Sequence, residues 1–393
     1  MPRHRLASKL TAICVLIATV LCVAITYLRG GIVSAPVYDH HANFTTSTNF
    51  EFLSLQPHHL INIFYSNKNS SVVNKRESSP LRQYKYIKLL KKANKTYLLP
   101  NLTSQSIEDV ETFVFFIGYP RSGHSIIASM IDAHPNAILA HEFNLFNRLA
   151  MQLSTGIEDL LNKSHLFNTL YQDSYTEAIT GWRSGKNSYN TKGYSLKMNG
   201  SESWQGRFSA LKVIGDKAGG STARVYHDHP ELFLQIYRLL VDAVHVPVRV
   251  IHVVRNPYDM IATRLLYRTS SIRRQKAEFN STNKLKNDKV VYQAFQGLYK
   301  EVEAVHSMVE ACNLTVLEIH SEEFIHDPRK EMKSVCEFLG LSCSESYLNM
   351  CEQVTYKNVS RTRDSVEWTA QIKGLVETSM LQLPFFKRYS FSD

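Results

Sequence analysis

The sequence lacks features that mark several classes of protein. None of its six cysteines forms a Cys-x-x-Cys pair, which argues against a structural zinc site. No segment repeats at a fixed period, which excludes a chain of tandem units. Charged residues make up only 20% of the chain against 44% hydrophobic residues, so there are enough apolar side chains for a sizeable core.

Negative charge is scarce relative to positive charge. The formal net charge is +10 at pH 7, which is compatible with polyanionic partners but says nothing about the fold. We do not expect nucleic acid to be the partner, because the N-terminal pattern places most of the chain outside the cytosol.

The N-terminus has the pattern of a membrane anchor. Residues 1–10 carry Arg3, Arg5 and Lys9, and residues 11–28 form an uncharged apolar run of 18 residues, just long enough to span a bilayer core. The basic flank predicts a cytoplasmic tail and a luminal remainder, as in a single-pass type II membrane protein. A cleaved signal peptide is the alternative, although its apolar core is usually only about 7–15 residues long.

Residues 29–110 are rich in Asn, Ser, Thr and His and show no sustained period. This composition predicts a luminal stem with little fixed structure. Many Asn-x-Ser/Thr acceptor sites indicate a glycosylated chain in the secretory pathway. The acceptor asparagines are Asn43, Asn69, Asn94, Asn101, Asn162, Asn199, Asn280, Asn313 and Asn358.

Four cysteines lie on the luminal side, namely Cys312, Cys336, Cys343 and Cys351. Four cysteines allow three pairings. We prefer Cys343 with Cys351, because these two can close a small loop, and buried free thiols are the alternative.

From residue 111 onward, short apolar strands alternate with amphipathic helices. This order predicts an α/β domain over 111–393, with a mainly parallel sheet covered by helices on both faces. The predicted strands are 113–117, 137–140, 211–214, 248–254 and 315–319. The predicted helices are one that begins near 126, then 231–241, 257–267, 290–312 and 328–339. Residues 150–208 match no known pattern, and residues 271–289 predict a mobile basic loop.

The first motif is the segment FVFFIGYPRSGHS, residues 113–125. A buried strand is followed by a glycine-bearing loop and the start of a helix, the arrangement that cradles phosphate in nucleotide-binding proteins. Gly118 to Ser125 has the spacing of a P-loop, but His124 stands where a nucleoside triphosphatase has Lys. The cation is instead Arg121, inside the loop. The alternative is a tight strand–helix turn without a ligand.

The second motif is VIHVVRNPYDMIATRLLY, residues 250–267. Arg255 follows directly after a buried strand, at the end where open α/β sheets bind ligands. A guanidinium there can bind phosphate through two hydrogen bonds. The alternative is that Arg255, Asn256 and Pro257 only mark the start of a helix.

Together the two motifs resemble those of Golgi-type sulfotransferases that use 3′-phosphoadenosine 5′-phosphosulfate (PAPS). The family's loop pattern is roughly Y-P-[KR]-S-G-T-[TS], and here His124 replaces the first Thr, which removes one hydroxyl contact. The resemblance implies that the 5′-phosphosulfate is held by Arg121, Ser122, Gly123, His124 and Ser125. It covers roughly residues 111–390.

The family's second pattern, R-N-x-x-D-x-x-x-[ST], matches at Arg255, Asn256, Asp259 and Thr263. The resemblance implies that Arg255 and Thr263 bind the 3′-phosphate and that Asp259 is structural. Near the C-terminus, many sulfotransferases close the cofactor site with a basic loop. This implies a contact from Arg361 or Arg363, with Trp368 packed on the loop; a surface basic pair is the alternative.

Sulfuryl transfer requires a base, and Glu142 falls where several carbohydrate sulfotransferases carry one. His141 is the rival. Lys217 matches a lysine that precedes a catalytic His in cytosolic sulfotransferases, but Gly219 stands in place of that His, which favours Glu142. Lys217 is expected to contact the sulfuryl group, with Asp216 holding Lys217. Arg121 is expected to neutralise the leaving phosphate.

The resemblance implies sulfuryl transfer from PAPS, without a metal, to a hydroxyl of a glycan or glycoconjugate in the Golgi lumen. A kinase or other phosphotransferase is the alternative among enzymes. The missing P-loop Lys argues against it, as does the lack of an acidic Mg²⁺-binding position after the strand at 248–254. A non-catalytic luminal binding protein is the alternative outside enzymes, favoured by His124. The acceptor and the oligomeric state stay open.

Overall fold

A five-stranded parallel sheet forms the centre of the fold, as the sequence predicts. The strand order is β2-β3-β1-β4-β5. The strands are β1 (Thr112–Gly118), β2 (Ala137–His141), β3 (Val213–Lys217), β4 (Val248–Val254) and β5 (Val316–His320). The third strand begins and ends later than predicted, which brings Lys217 into the sheet opposite His141.

The computed structural model describes residues 99–156, 159–180, 204–272, 284–285 and 287–393. The predicted anchor at 11–28, most of the predicted stem and residues 273–283 of the predicted basic loop lie outside these ranges. Within them, no helix is both long and apolar enough to cross a membrane.

Helices cover both faces of the sheet. They are α1 (Ser104–Glu108), α2 (His124–Asp132), α3 (Leu145–Thr155), α4 (Lys163–Thr180), α5 (Gly219–Asp228), α6 (Pro230–Val244), α7 (Pro257–Ile272), α8 (Asp288–Cys312), α9 (Ser321–His326), α10 (Pro328–Leu339), α11 (Glu345–Val354) and α12 (Ala370–Leu375). Short 3-10 turns lie at Asp159–Leu161, Thr362–Ser365 and Pro384–Phe386, and a π turn at Val376–Met380.

The alternation of side chains along β1 explains why the sheet needs two covering layers. Phe113, Phe115 and Ile117 belong to one buried cluster, with side chains of α3 to α8. Val114 and Phe116 belong to a second cluster, with side chains of α2, α10 and α11. All seven residues of β1 are buried. The unbroken apolar run in the sequence is therefore that of a central strand.

Two regions are more ordered than the sequence predicts. The segment 150–208, which matched no pattern, contributes α4, with Leu166, Phe167 and Leu170 in the core. The stem was expected to extend to residue 110, but α1 lies within 104–108, and Leu102 and Ile107 are buried in the same cluster. Packed structure therefore begins before residue 111.

The preferred disulfide is wrong. Cys336 pairs with Cys343, with 6.1 Å between their Cα atoms, while Cys351 is a buried free thiol. The reason is that α10 ends at Leu339 and Gly340 takes a left-handed conformation (φ 74°), which turns the chain back toward the helix. His134 lies beside this pair, but its ring nitrogens are engaged by the Asn136 N–H and by the Ser342 carbonyl.

The strand order places the two motifs side by side. The chain leaves β1 toward β2 on one side, and leaves β4 toward β5 on the other. β1 and β4 are paired in register up to Gly118 and Val253. The loops that follow these two strands therefore meet at the point where the direction of winding reverses, which is where open α/β sheets bind ligands.

Candidate active site

The first loop, residues 119–123 between β1 and α2, has an unusual backbone. Arg121 has a φ of 79° and Gly123 a φ of 98°, both in the left-handed region. A Cβ atom on Gly123 would lie 2.9 Å from the Ser321 Oγ, so glycine is required there for space as well as conformation. α2 begins at His124, and its first N–H groups face the loop, as in anion-binding loops.

Two side chains of this motif point into the protein rather than out of the loop. Ser122 has no exposed surface, and its Oγ lies 3.1 Å from the His124 Nδ1. Burial lowers the pKa of His124 to about 3, assisted by the charge of Lys217, so the ring is neutral at physiological pH. Arg121 and Ser125 are partly exposed. Of the motif's polar side chains, Arg121 in the loop and Ser125 at the start of α2 are therefore the more accessible to a ligand.

Lys217 connects the start of α2 to Glu142. Its Nζ donates to the Ser125 Oγ at 3.0 Å and to the Glu142 Oε1 at 2.5 Å. The Glu142 N–H in turn donates to the Lys217 carbonyl at 2.8 Å, so Lys217 binds both the backbone and the side chain of Glu142. The Lys217 side chain has no exposed surface, whereas the Glu142 side chain is 37% exposed. These contacts let Lys217 position Glu142, and the expected contact of Lys217 with a sulfuryl group stays a prediction.

The neighbours of Lys217 differ from expectation. Asp216 does not hold Lys217, because successive side chains of β3 point to opposite faces. Its carboxylate instead accepts the backbone N–H groups of Phe143 and Leu145, at 3.1 and 2.9 Å, and burial raises its pKa to about 7. His141 lies on the Lys217 side, with its Nε2 3.5 Å from the Lys217 Nζ.

Gly219, which stands where cytosolic sulfotransferases carry the histidine, is packed closely against β1. A Cβ on Gly219 would lie 3.2 Å from the backbone of Ile117, because α5 starts against the end of β1. A histidine there would require a small shift of these segments, so glycine fits this position more easily than the histidine of the cytosolic sulfotransferases.

Arg255 meets the first loop directly. Its Nη1 donates to the Arg121 carbonyl at 3.2 Å and to the Thr263 Oγ1 at 3.4 Å. Its Nη2 donates to the Ser360 carbonyl at 2.7 Å. Burial lowers the pKa of this guanidinium, an effect opposed by the more distant Asp259 and Glu322. The structure thus brings the two motifs together, and Thr263 lies where the spacing predicts.

The covering loop, residues 358–365, lies over Arg255. Arg363 is not a surface cation as one alternative held, because it is 1% exposed and its Nη2 lies 2.8 Å from the carboxylate of the fully buried Asp259. Arg361 is 40% exposed and contacts Asp364 and the Ser392 carbonyl. The Trp368 indole donates to the Arg363 carbonyl. Asp259 is structural, as expected, and of the two arginines only Arg361 is exposed.

Behind the first loop lies a chain of polar side-chain contacts that sequence reasoning missed. The Tyr119 hydroxyl lies 3.1 Å from the His252 Nε2, and Glu318 lies between His252 and His320. Burial alone would raise the pKa of Glu318, but hydrogen bonds from the two histidines lower it to about 2. The His320 Nδ1 lies 2.9 Å from the Tyr389 hydroxyl. His252 lies in β4 and His320 in β5. In a strand, the alternation of side chains predicts which residues face the core but not which polar groups they contact.

Comparison with known proteins agrees with the resemblance that the two motifs carry. A family model described as the sulfotransferase family matches residues 114–345, more than half of the chain. No curated protein matches the chain.

Among solved structures, the chain is similar to the sulfotransferase domain of the olefin synthase of Synechococcus PCC 7002. The two sequences are 16% identical, the match covers 74% of this chain and 100% of that domain, and the TM-score is 0.37. Another is sulfotransferase STF9 of Mycobacterium avium, with 13% identity, coverages of 77% and 82%, and a TM-score of 0.38. A third is the mouse sulfotransferase SULT7A1 complexed with PAP, with 13% identity, coverages of 70% and 87%, and a TM-score of 0.34.

Proposed function

The chain belongs to the sulfotransferase family, and from this premise we propose that it transfers a sulfuryl group from PAPS to a hydroxyl of a glycan or glycoconjugate in the Golgi lumen. Membership of the family supports the sulfuryl donor and the reaction type. The N-terminal sequence pattern and the density of glycosylation sites support the compartment, and the compartment in turn supports a glycan acceptor.

The observation that carries the donor site is the environment of Arg255. Among the described residues, no carboxylate lies within 4.0 Å of its guanidinium, and its hydrogen-bond partners are two carbonyls and a hydroxyl. A largely buried cation is normally paired with an anion. A phosphate would supply that anion, beside the first loop and Thr263. The residues present therefore fit the 3′-phosphate of the donor.

The chain's residues then have separate tasks. Arg121 and the N–H groups at the start of α2 face the 5′-phosphosulfate and stabilise charge on the departing phosphate. Glu142 accepts the proton of the acceptor hydroxyl as that oxygen bonds to sulfur and the bond from sulfur to the 5′-phosphate oxygen breaks. The products are a sulfate ester and 3′,5′-adenosine bisphosphate (PAP). The residues proposed for these tasks follow β1, β2 and β4 at the carboxyl ends of the strands, which supports the proposal.

A transfer assay tests the proposal as a whole. The purified full chain in detergent is incubated with labelled PAPS and a panel of glycosaminoglycans, N-glycans, O-glycans, glycolipids and tyrosyl peptides. We expect label in at least one glycan class. Transfer to tyrosyl peptides alone would contradict the glycan acceptor. Binding of ATP with Mg²⁺ but not of PAP would contradict the donor and favour the phosphotransferase alternative.

Replacing Arg255 with Ala is expected to weaken PAP binding by about 1.5–3 kcal/mol, the scale of a hydrogen bond from a charged group. Isothermal titration calorimetry with PAP measures the change. Arg238→Ala is the matched control, because it removes an exposed arginine of α6. Equal affinities for a folded Arg255→Ala variant and for the control would remove Arg255 from the donor site.

The proposed topology predicts that residues after about 30 are protected from protease in sealed vesicles, because the basic residues before the apolar run retain the N-terminus in the cytosol. Immunoblotting for the catalytic domain, with and without detergent, measures protection. An N-terminal tag, which should be digested in both conditions, is the control. Loss of the catalytic domain without detergent would rule this topology out.

A further inference from the structure

His124 occupies a position in the first loop from which a side chain can reach the base. It is the first residue of α2, and only 7% of its surface is exposed. Its ring lies between Ser122 of the loop and Glu142 after β2. The resemblance to the family places a threonine here, and that shorter side chain ends one atom beyond Cβ.

The two ring nitrogens of His124 have different neighbours. Nδ1 lies 3.1 Å from the Ser122 Oγ, and the ring also forms a hydrogen bond with the Tyr119 backbone. Nε2 lies 4.0 Å from the Glu142 Oε1. The Lys217 Nζ approaches the same oxygen at 2.5 Å. One carboxylate oxygen of Glu142 thus faces both a cation and an imidazole.

We propose that His124 is a positioning residue for Glu142, held by Ser122 through Nδ1 and orienting the carboxylate through Nε2. This inference rests on the proposed function, since it assigns to His124 a role in sulfuryl transfer. The distance of 4.0 Å is longer than a hydrogen bond. Contacts of this kind are often long without substrate and shorten when the acceptor binds.

The rival role for His124 is direct contact with the phosphosulfate. The geometry disfavours it, because only 7% of His124 is exposed and its two ring nitrogens face the Ser122 hydroxyl and the Glu142 carboxylate. A neutral imidazole also supplies no positive charge to a phosphate. His124 therefore acts on the transfer step and leaves donor affinity to Arg121, Ser125 and Arg255.

Two substitutions of His124 test its two ring nitrogens separately. His124→Gln places an amide near the position of Nε2 and retains the reach to Glu142. His124→Asn places an amide near Nδ1, retaining the contact to Ser122 and losing the reach. The two amides are similar in polarity, so each variant is the matched control of the other. Thermal unfolding of both, with and without PAP, checks that they fold.

We expect His124→Asn to lower kcat about 10-fold or more, because moving a catalytic group out of position slows the reaction by at least this factor. His124→Gln should stay within about threefold of the natural chain. Both should bind PAP within about twofold of the natural chain. In a Glu142→Gln background, His124→Asn should have little further effect, because the residue it orients is already inactive.

The outcomes distinguish this inference from the proposed function. Absence of transfer by the unaltered chain with every acceptor would overturn both. Transfer by the unaltered chain with equal kcat for the Asn and Gln variants would overturn only the role of His124. A loss of PAP affinity of 10-fold or more in both variants, with kcat intact, would assign His124 to the donor instead. An additive loss in the Glu142→Gln background would also overturn the positioning role.

Discussion

Replacing Glu142 with Gln is expected to lower kcat for sulfate transfer by about 10²-fold or more, while PAP affinity stays near that of the natural chain. Glutamine keeps the shape of the side chain and removes the base. The effect is measured by steady-state kinetics with the best glycan acceptor, and PAP affinity by calorimetry. A large fall in kcat without a change in affinity locates the defect in proton transfer rather than in donor binding.

The structure gives this expectation a physical basis beyond position in the sequence. Glu142 has a left-handed backbone conformation (φ 61°), and its N–H is bonded to the Lys217 carbonyl. Such conformations cost energy and persist where surrounding contacts hold them. The Lys217 ammonium, 2.5 Å from Oε1, favours the ionised carboxylate that a base requires. Glu142 is therefore held in place and partly exposed beside the first loop.

His141→Ala is the control for Glu142→Gln. His141 also neighbours Lys217, so its removal perturbs the same region without removing the carboxylate. We expect a much smaller loss of kcat. The reverse ordering, with His141 essential and Glu142 dispensable, would establish a histidine mechanism. If both variants kept full activity, the base would lie elsewhere. Asp216 would be the next residue to test, although its carboxylate is bonded to the Phe143 and Leu145 N–H groups on the opposite face of β3 from Lys217.

Contiguous motifs could be predicted from the sequence, because their geometry is local. The strand, loop and helix start of residues 112–132 lie where the pattern places them, and Arg255 and Thr263 are eight positions apart on one strand end and helix. The central position of β1 also follows from an apolar run that needs cover on both faces. In these segments the local pattern and the tertiary environment agree.

Contacts between distant segments could not be predicted. Lys217 and Glu142 are 75 positions apart, and the pairing of β2 with β3 brings them together. The helix over 163–180 carries many polar residues, so its apolar face is visible only once it is packed on the sheet. The cysteine pairing depended on the turn at Gly340, which sequence spacing alone does not specify. The role of Arg363 depended on the burial of Asp259.

Replacing Arg363 with Met is expected to destabilise the fold by about 3–5 kcal/mol, because it removes one partner of a buried ion pair. Asp259 has no exposed surface, and its carboxylate accepts from the Arg363 Nη2 at 2.8 Å and from the Arg363 Nε at 3.2 Å. Methionine fills a similar volume, but among the described residues it leaves the carboxylate with only the backbone N–H of residue 363 and the Thr362 hydroxyl as hydrogen-bond donors. Denaturant unfolding, monitored by circular dichroism, measures the loss.

Two controls decide whether the ion pair is the cause. Arg361→Met removes an arginine two positions away that is 40% exposed, and it should change the free energy of unfolding by no more than about 0.5 kcal/mol. The double variant Asp259→Leu with Arg363→Met removes both charges, so it should be less destabilised than Arg363→Met alone. Equal losses for the two single arginine variants would contradict the structural role. If Arg363→Met left the stability unchanged and weakened PAP binding, Arg363 would instead contact the donor. Its burial against Asp259 and its hydrogen bonds to the Ser390 and Phe391 carbonyls argue against that outcome.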